Sequence, residues 1–246
     1  MELLVVAALL WLAVHIGIAG TRLRAFLVGP LGDNAFRAVF SVLSLASIGF
    51  LVWAFRAAPA EPLWTTPLWL RWVLVAAMLP AFLLFVGSVA NPNPTAMQPG
   101  VARVQPPRGI IRVTRHPMLC GFTLWALVHI IGTGEAAALI FFGAFLVTAV
   151  AGMPSIDAKL ARRDPNFWQA LSAATSIVPF AAIAAGRNRF VPREIGWVTP
   201  VVGIAAWILL LLVHPWLFGV GPLGASLDTS LGALLGTPIG TVSVPA

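Results

Sequence analysis

The chain has 246 residues, of which 59% are hydrophobic and only 9% charged. A soluble domain carries about 25% charged residues, so the composition excludes an ordinary water-soluble enzyme. The net charge of +7 is scattered between apolar segments, which suits an anionic lipid leaflet and excludes a nucleic-acid binder.

Six apolar runs follow in chain order, at 2–20, 37–55, 72–90, 117–133, 135–153 and 197–220. Most reach or approach the roughly 20 residues that cross a hydrocarbon core of about 30 Å. The expected fold is therefore an all-α polytopic membrane bundle of about six transmembrane helices. Basic residues give its orientation. The loop after the first run carries Arg22, Arg24 and Arg37. The loop after the third carries Arg103, Arg108, Arg112 and Arg115, and the segment 154–196 carries Lys159, Arg162, Arg163, Arg187, Arg189 and Arg193. These three loops hold thirteen of the fifteen basic residues, against two for Arg56 and Arg71. Cytoplasmic loops carry the Lys/Arg excess, so both termini are expected outside a cell inner membrane. The start Met1-Glu2-Leu3-Leu4 lacks the basic region of a signal peptide, and the first run reads as a retained helix.

The first run holds one polar residue, His15, and Pro30–Asn34 reads as a turn. Small residues at Ser41, Ser44, Ser47 and Gly49 suit close helix packing. Pro80 predicts a kink in the third run. The prolines of 91–107 forbid regular structure. Gly132-Thr133-Gly134-Glu135 joins the fourth and fifth runs as a tight helical hairpin. Asp157 to Leu171 reads as an interfacial helix with Arg162, Arg163 and Trp168 at the headgroups. The run 177–185 is too short to span. Residues 197–246 read as an additional span with a Gly-rich tail, separate from a membrane domain over 1–196. A single cysteine, Cys120, excludes an intramolecular disulfide.

Four histidines carry the possible chemistry: His15, His116, His129 and His214. Polar groups at membrane depth are functional candidates, and neutral imidazole suits haem iron and other transition metals. The alternative is a histidine hydrogen-bonded within the bundle. His116 and His129 are thirteen residues apart on one helix, about 20 Å of rise, so they cannot share an iron. A pair must come from different helices. His15 with His129 is possible if the first and fourth spans pack, although their naive depths differ by about 10 Å. His15 with His116 is the rival on depth. Arg115-His116-Pro117 opens the fourth span, with Pro117 suited to the first helical position. With Arg112 and Arg115 this mouth could receive an anionic group; equally, both arginines could only enforce topology. His214 reads as interfacial, and Asp157 and Asp164 as surface partners of neighbouring arginines. No glycine-rich phosphate loop, GxSxG or CxxC occurs.

The run Arg115-His116-Pro117-Met118-Leu119-Cys120-Gly121, followed by Leu124-Trp125-Ala126-Leu127-Val128-His129, resembles the core of the NnrU family. So do Gly134-Glu135, His15, Phe36-Arg37 with Ser41-Leu43-Ser44, Glu61-Pro62-Leu63-Trp64 and Ser176-Ile177-Val178-Pro179-Phe180. The resemblance covers roughly 3–185 and leaves out the last span and tail. It implies a bacterial membrane protein linked to denitrification and nitric-oxide metabolism, or an isomerase of a lipophilic polyene like plant zeta-carotene isomerase, a haem b protein in the same family. It casts His15 and His129 as axial haem b ligands, with Arg112 or Arg115 meeting propionates. Arg-His-Pro at a helix start is also similar to isoprenylcysteine and phospholipid methyltransferases, which implies S-adenosylmethionine at this mouth. Ser155-Ile156-Asp157-Ala158-Lys159 lacks the paired glutamates of those enzymes. A cofactor-free structural or regulatory membrane protein is the third expectation.

Overall fold

A computed structural model describes residues 1–21, 23–91, 93–95 and 106–223. Expectations for Arg22, Arg103, most of the 91–107 segment and the tail beyond 223 lie outside the described residues. Among them the chain is all-helical, with one isolated β-bridge between Pro62 and Glu135. Helix α1 (Glu2–Leu12) continues through a π-helical segment, Ala13–Ile18. It is followed by α2 (Leu23–Arg56), α3 (Leu68–Ala90), α4 (Pro117–Thr133), α5 (Ala136–Arg163), α6 (Pro165–Ala174), α7 (Ala181–Ala184) and α8 (Val198–Phe218).

Among the described residues, four helices are long and apolar enough to cross a membrane: 26–56, 68–90, 136–163 and 198–218. Two shorter apolar helices, Glu2–Ile18 and Pro117–Thr133, complete the set of apolar elements. The helices form a row in the order α8, α3, α4, α5, α1, α2, each packed on its neighbours. Outward-facing side chains are apolar. Leu45 is 71% exposed, Leu209 62% and Trp216 82%. Such a surface is stable only against lipid or another apolar partner.

The hairpin between α4 and α5 closes where Gly134 adopts φ +69°. A Cβ there would lie 2.2 Å from the Trp64 carbonyl oxygen, so only glycine fits. The 61–66 segment covers this hairpin. Leu63 N–H donates to the Gly134 carbonyl at 2.8 Å, and Ala136 N–H donates to the Glu61 carbonyl at 3.0 Å. At the opposite end of the row, Lys159 Nζ donates to the Ala19 carbonyl and Ser155 Oγ to the Gly20 carbonyl. These contacts fix α1 parallel to α5.

Two sequence expectations need correction. The helix expected over 157–171 is two helices. Helix α5 runs on through Pro154 to Arg163 and is broken at Asp164. A residue before proline disfavours helical backbone, and Asp164 sits at φ −150°, ψ 81°. Its carboxylate accepts from Phe167 N–H at 3.1 Å and caps α6. The turn expected at Pro30–Asn34 is a kink inside α2, centred on Gly32.

Candidate functional site

Three places hold the side chains that sequence reasoning singled out. The first is the mouth of α4, where non-helical backbone at His116 (φ −122°, ψ 56°) before Pro117 sets Arg115 and His116 against α5 and the segment after α6. Arg115 N–H donates to the Ser176 carbonyl at 3.1 Å, and Phe180 N–H to the Val113 carbonyl at 2.8 Å. Arg115 then grips Asp157 with its Nη2 at 2.6 Å and Nε at 3.0 and 3.1 Å. Its Nη1 donates to the Thr175 carbonyl at 3.3 Å. Its guanidinium lies 5.2 Å from the ring centre of Trp168. His116 Nε2 is 2.7 Å from the same Asp157 carboxylate. A carboxylate accepts, so Nε2 donates to it. His116 is 1% exposed, and its Nδ1 is buried without a hydrogen-bond partner. Asp157 was expected to pair on its own helix surface. It is instead buried and holds two residues of α4's mouth, because α5 extends past the apolar run and carries Asp157 beneath that mouth.

Arg112 is held in the same fashion. Its Nε and Nη2 reach the Glu194 carboxylate at 2.6 and 2.9 Å, and its Nη1 reaches Asn188 Oδ1 at 2.7 Å. Gly109 N–H adds a third hydrogen bond to Glu194 at 3.0 Å. The Arg112 hydrogen bonds hold the Glu194 carboxyl down at about 2, and that carboxylate in turn raises the Arg112 guanidinium. The anion expected at this mouth is thus supplied from within the chain, by Asp157 and Glu194. Sequence reading missed Glu194 and Asn188, which are 82 and 76 residues from Arg112; no local spacing signals such pairs.

The second place is the π-helical turn around His15. A π turn inside an α-helix frequently marks a functional position. His15 Nδ1 lies 3.0 Å from the Trp11 carbonyl. A carbonyl only accepts, so Nδ1 carries the proton and Nε2 offers its lone pair. The imidazole stacks on Trp11 with ring centres 3.7 Å apart.

The third place is the hairpin end of α4. His129 Nδ1 lies 2.8 Å from the Trp125 carbonyl, which leaves His129 Nε2 as a free lone pair in the same way. Phe142 flanks its ring at 4.7 Å. The ring of His214 on α8 is 6.4 Å away, with the two planes inclined by 29°. His214 Nδ1 donates to the Val220 carbonyl at 2.7 Å, a reach made by the left-handed Gly219 that ends α8. His214 was expected merely at the interface; it faces His129.

The structure does not bring His15 and His129 together. Trp11 and Trp125 both touch Phe145, at 4.8 and 5.3 Å between ring centres. They define one aromatic layer. Helix α1 runs parallel to α5, and α4 antiparallel to it. His15 therefore lies one turn to one side of the layer and His129 one turn to the other. At 1.5 Å per residue, their backbones differ by about 12 Å in depth. Helix α5 also stands between α1 and α4 in the row. Each of His15 and His129 has the tautomer of a ligand, with Nδ1 on a backbone carbonyl. His116 holds Asp157 through its Nε2. Among the described residues, no group of three His, Cys, Asp or Glu side chains could hold a metal ion.

Comparison with known proteins places this geometry in a family. The chain is similar to the 15-cis-zeta-carotene isomerase, chloroplastic, of Arabidopsis thaliana, with 27% identity over 197 residues, 73% of this chain and 50% of that protein. It is similar to the protein of the same name from Zea mays, with 33% identity over 86 residues, 35% of this chain and 23% of that protein. The chain thus spans at most half the length of these relatives. No solved structure matches. The family model "NnrU protein" matches residues 3–222, which takes in α8 as well as the motifs near 115–129. The chain belongs to the NnrU family.

Proposed function

We propose that this chain is a multi-pass inner-membrane protein that isomerises a double bond of a lipophilic polyene with haem b as its cofactor. The observation that carries the reading is the similarity to 15-cis-zeta-carotene isomerase over 197 residues. The histidine geometry supports it. His129 lies among Trp125, Phe142 and other apolar rings with its Nε2 lone pair free. Such an imidazole is pre-set as an axial ligand, because the backbone hydrogen bond at Nδ1 fixes tautomer and ring orientation. Haem held there would supply a redox-active iron able to weaken a π bond. The chain itself would supply the imidazole, an apolar aromatic wall and exclusion of water.

The same reading sets six spans with both termini outside and 154–196 on the anionic cytoplasmic leaflet. Exposed Arg187 and Arg189 stand beside Phe180 and Phe190, which are 51% and 47% exposed. Phe180 holds a left-handed backbone at φ 65°. Cations beside exposed aromatics suit a headgroup region. The methyltransferase reading loses support at the mouth of α4, where Arg115 and His116 are both occupied by Asp157. The test is isomer conversion. The purified chain in liposomes is incubated in the dark with a 15-cis polyene, and the isomers are separated by chromatography. Conversion that depends on protein and haem supports the proposal. Unchanged isomer ratios with haem-loaded, folded protein overturn it.

A further inference from the structure

Beside the end of α6 lies an open cavity of about 370 Å³ that the isomerase reading does not use. Its size is near the lower end of the roughly 300–1,000 Å³ of small-molecule sites. Pro107 and Ala174, the last residue of α6, line it, and Arg112, Arg187, Asn188 and Arg189 supply its polar groups. We propose that this cavity holds the phosphate of an anionic phospholipid headgroup. The side of the membrane rests on the topology proposed above; the pocket rests on its own geometry.

Backbone hydrogen bonds build the site. After α7 the chain reverses at Gly186, whose left-handed backbone (φ +69°) follows the helix end as glycine commonly does. Gly186 N–H donates to the Ile183 carbonyl and Arg187 N–H to the Ala182 carbonyl, both at 3.0 Å. The reversal brings the Arg187 side chain to the end of α6. Its Nη1 donates to the Ser172, Ala173 and Thr175 carbonyls at 3.0, 2.9 and 3.1 Å, in the region where a helix C-terminus leaves carbonyls unpaired. One corner of the guanidinium is thus anchored, while Nε and Nη2 have no partner among the described residues. Asn188 pins the next position. Its Oδ1 accepts from Arg112 Nη1 and from Arg189 N–H, both at 2.7 Å, and its Nδ2 donates to the Arg112 carbonyl at 3.2 Å. The Arg189 side chain makes no hydrogen bond or ion pair among the described residues.

Charge selects an anion. Three arginines and no carboxylate line the cavity. Glu194 neutralises Arg112, but Arg187 meets only carbonyl dipoles and Arg189 meets no counter-charge. Guanidinium N–H groups pair with phosphate oxygens two at a time, and two arginines here keep donors for that purpose. The setting selects a lipid. Phe190 directly follows Arg189, its ring centre is 5.9 Å from that of Phe180, and both are about half exposed. Exposed aromatic rings beside cations place a surface at the boundary of headgroups and acyl chains. At that depth the phosphate within reach is the lipid's own.

The experiment titrates the full-length chain in dodecyl maltoside with phosphatidylglycerol or phosphatidylcholine, and native mass spectrometry counts the bound lipid. Variants are R187Q, R189Q and, outside the cavity, R24Q. Wild type is expected to retain one phosphatidylglycerol in preference to phosphatidylcholine, whose choline cation the arginines repel. R187Q and R189Q each weaken that binding about tenfold, and R24Q leaves it unchanged. R189Q decides the matter even if R187Q fails to fold, because the Arg189 side chain holds no other described part of the chain. Unchanged binding in R189Q, or an equal loss in R24Q, overturns the site and leaves only diffuse attraction between charges. Displacement of the lipid by equimolar inorganic phosphate overturns the lipid as the source and leaves a free-phosphate pocket. No step uses haem or a polyene, so failure here is distinct from failure of the isomerase reading.

Discussion

Replacing Asp157 with Asn tests whether the mouth of α4 is held as described. The carboxylate takes three hydrogen bonds from Arg115 and one from His116. The Arg115 and Asp157 side chains are only 11% and 10% exposed. An amide cannot replace this carboxylate, because its NH2 group faces donors on Arg115 or His116. The change also leaves the guanidinium without its counter-charge. Breaking a buried ion pair from one side costs about 3–5 kcal/mol; partial solvent access and the retained Trp168 and Thr175 contacts place the cost near the lower bound. A loss of about 3 kcal/mol lowers the unfolding midpoint of a chain this size by roughly 6–12 °C. The assay is thermal unfolding in detergent, followed by near-ultraviolet circular dichroism of the tryptophans. A double variant, R115M with D157L, removes both charges and should recover only part of the loss, because the buried His116 Nε2–H then lacks its acceptor. A shift in D157N below about 2 °C, smaller than that of 1 kcal/mol, would refute the reasoning.

Glu194 gives a pH dependence. Its folded-state value of about 2 lies below the ordinary 4.5, so its contribution to stability is present above 4.5 and lost as pH falls towards 2. Melting curves of wild type and E194Q between those limits should converge as the pH drops; parallel curves count against the Arg112 pair. Gly134→Ala forces a Cβ to within 2.2 Å of the Trp64 carbonyl at φ +69° and should cost about 2 kcal/mol or more. An unchanged melting temperature would mean that the hairpin is not closed by residues 61–66. A cysteine at exposed Ala185, with native Cys120 buried, should resist an impermeant maleimide on intact cells and react after lysis. Labelling of intact cells would invert the proposed topology.

Much of the architecture was legible because membrane helices announce themselves by length and apolarity alone. The run 117–133 coincides with α4, and 72–90 and 197–220 differ from α3 and α8 by a few residues at an end. The end of α5 was less legible, since its polar final turns leave the apolar run that marks a span and only Asp164-Pro165 stops them. Asp157 was misread as a surface partner because charge spacing along one helix carries no information about a residue 42 positions away. His214 was the instructive case. It stands as far from its helix end as His129 does, a depth match readable from the sequence, but neighbourship of α4 and α8 around α3 is a tertiary fact. Conversely, the depth mismatch of His15 and His129 was readable, and the structure reproduces it as the Trp11–Phe145–Trp125 layer.

The most direct measurement of the central claim is the visible absorbance spectrum of the full-length chain purified from haem-replete cells. The account predicts a Soret band that scales with protein and that H129A diminishes or shifts. A featureless spectrum from folded protein would contradict it.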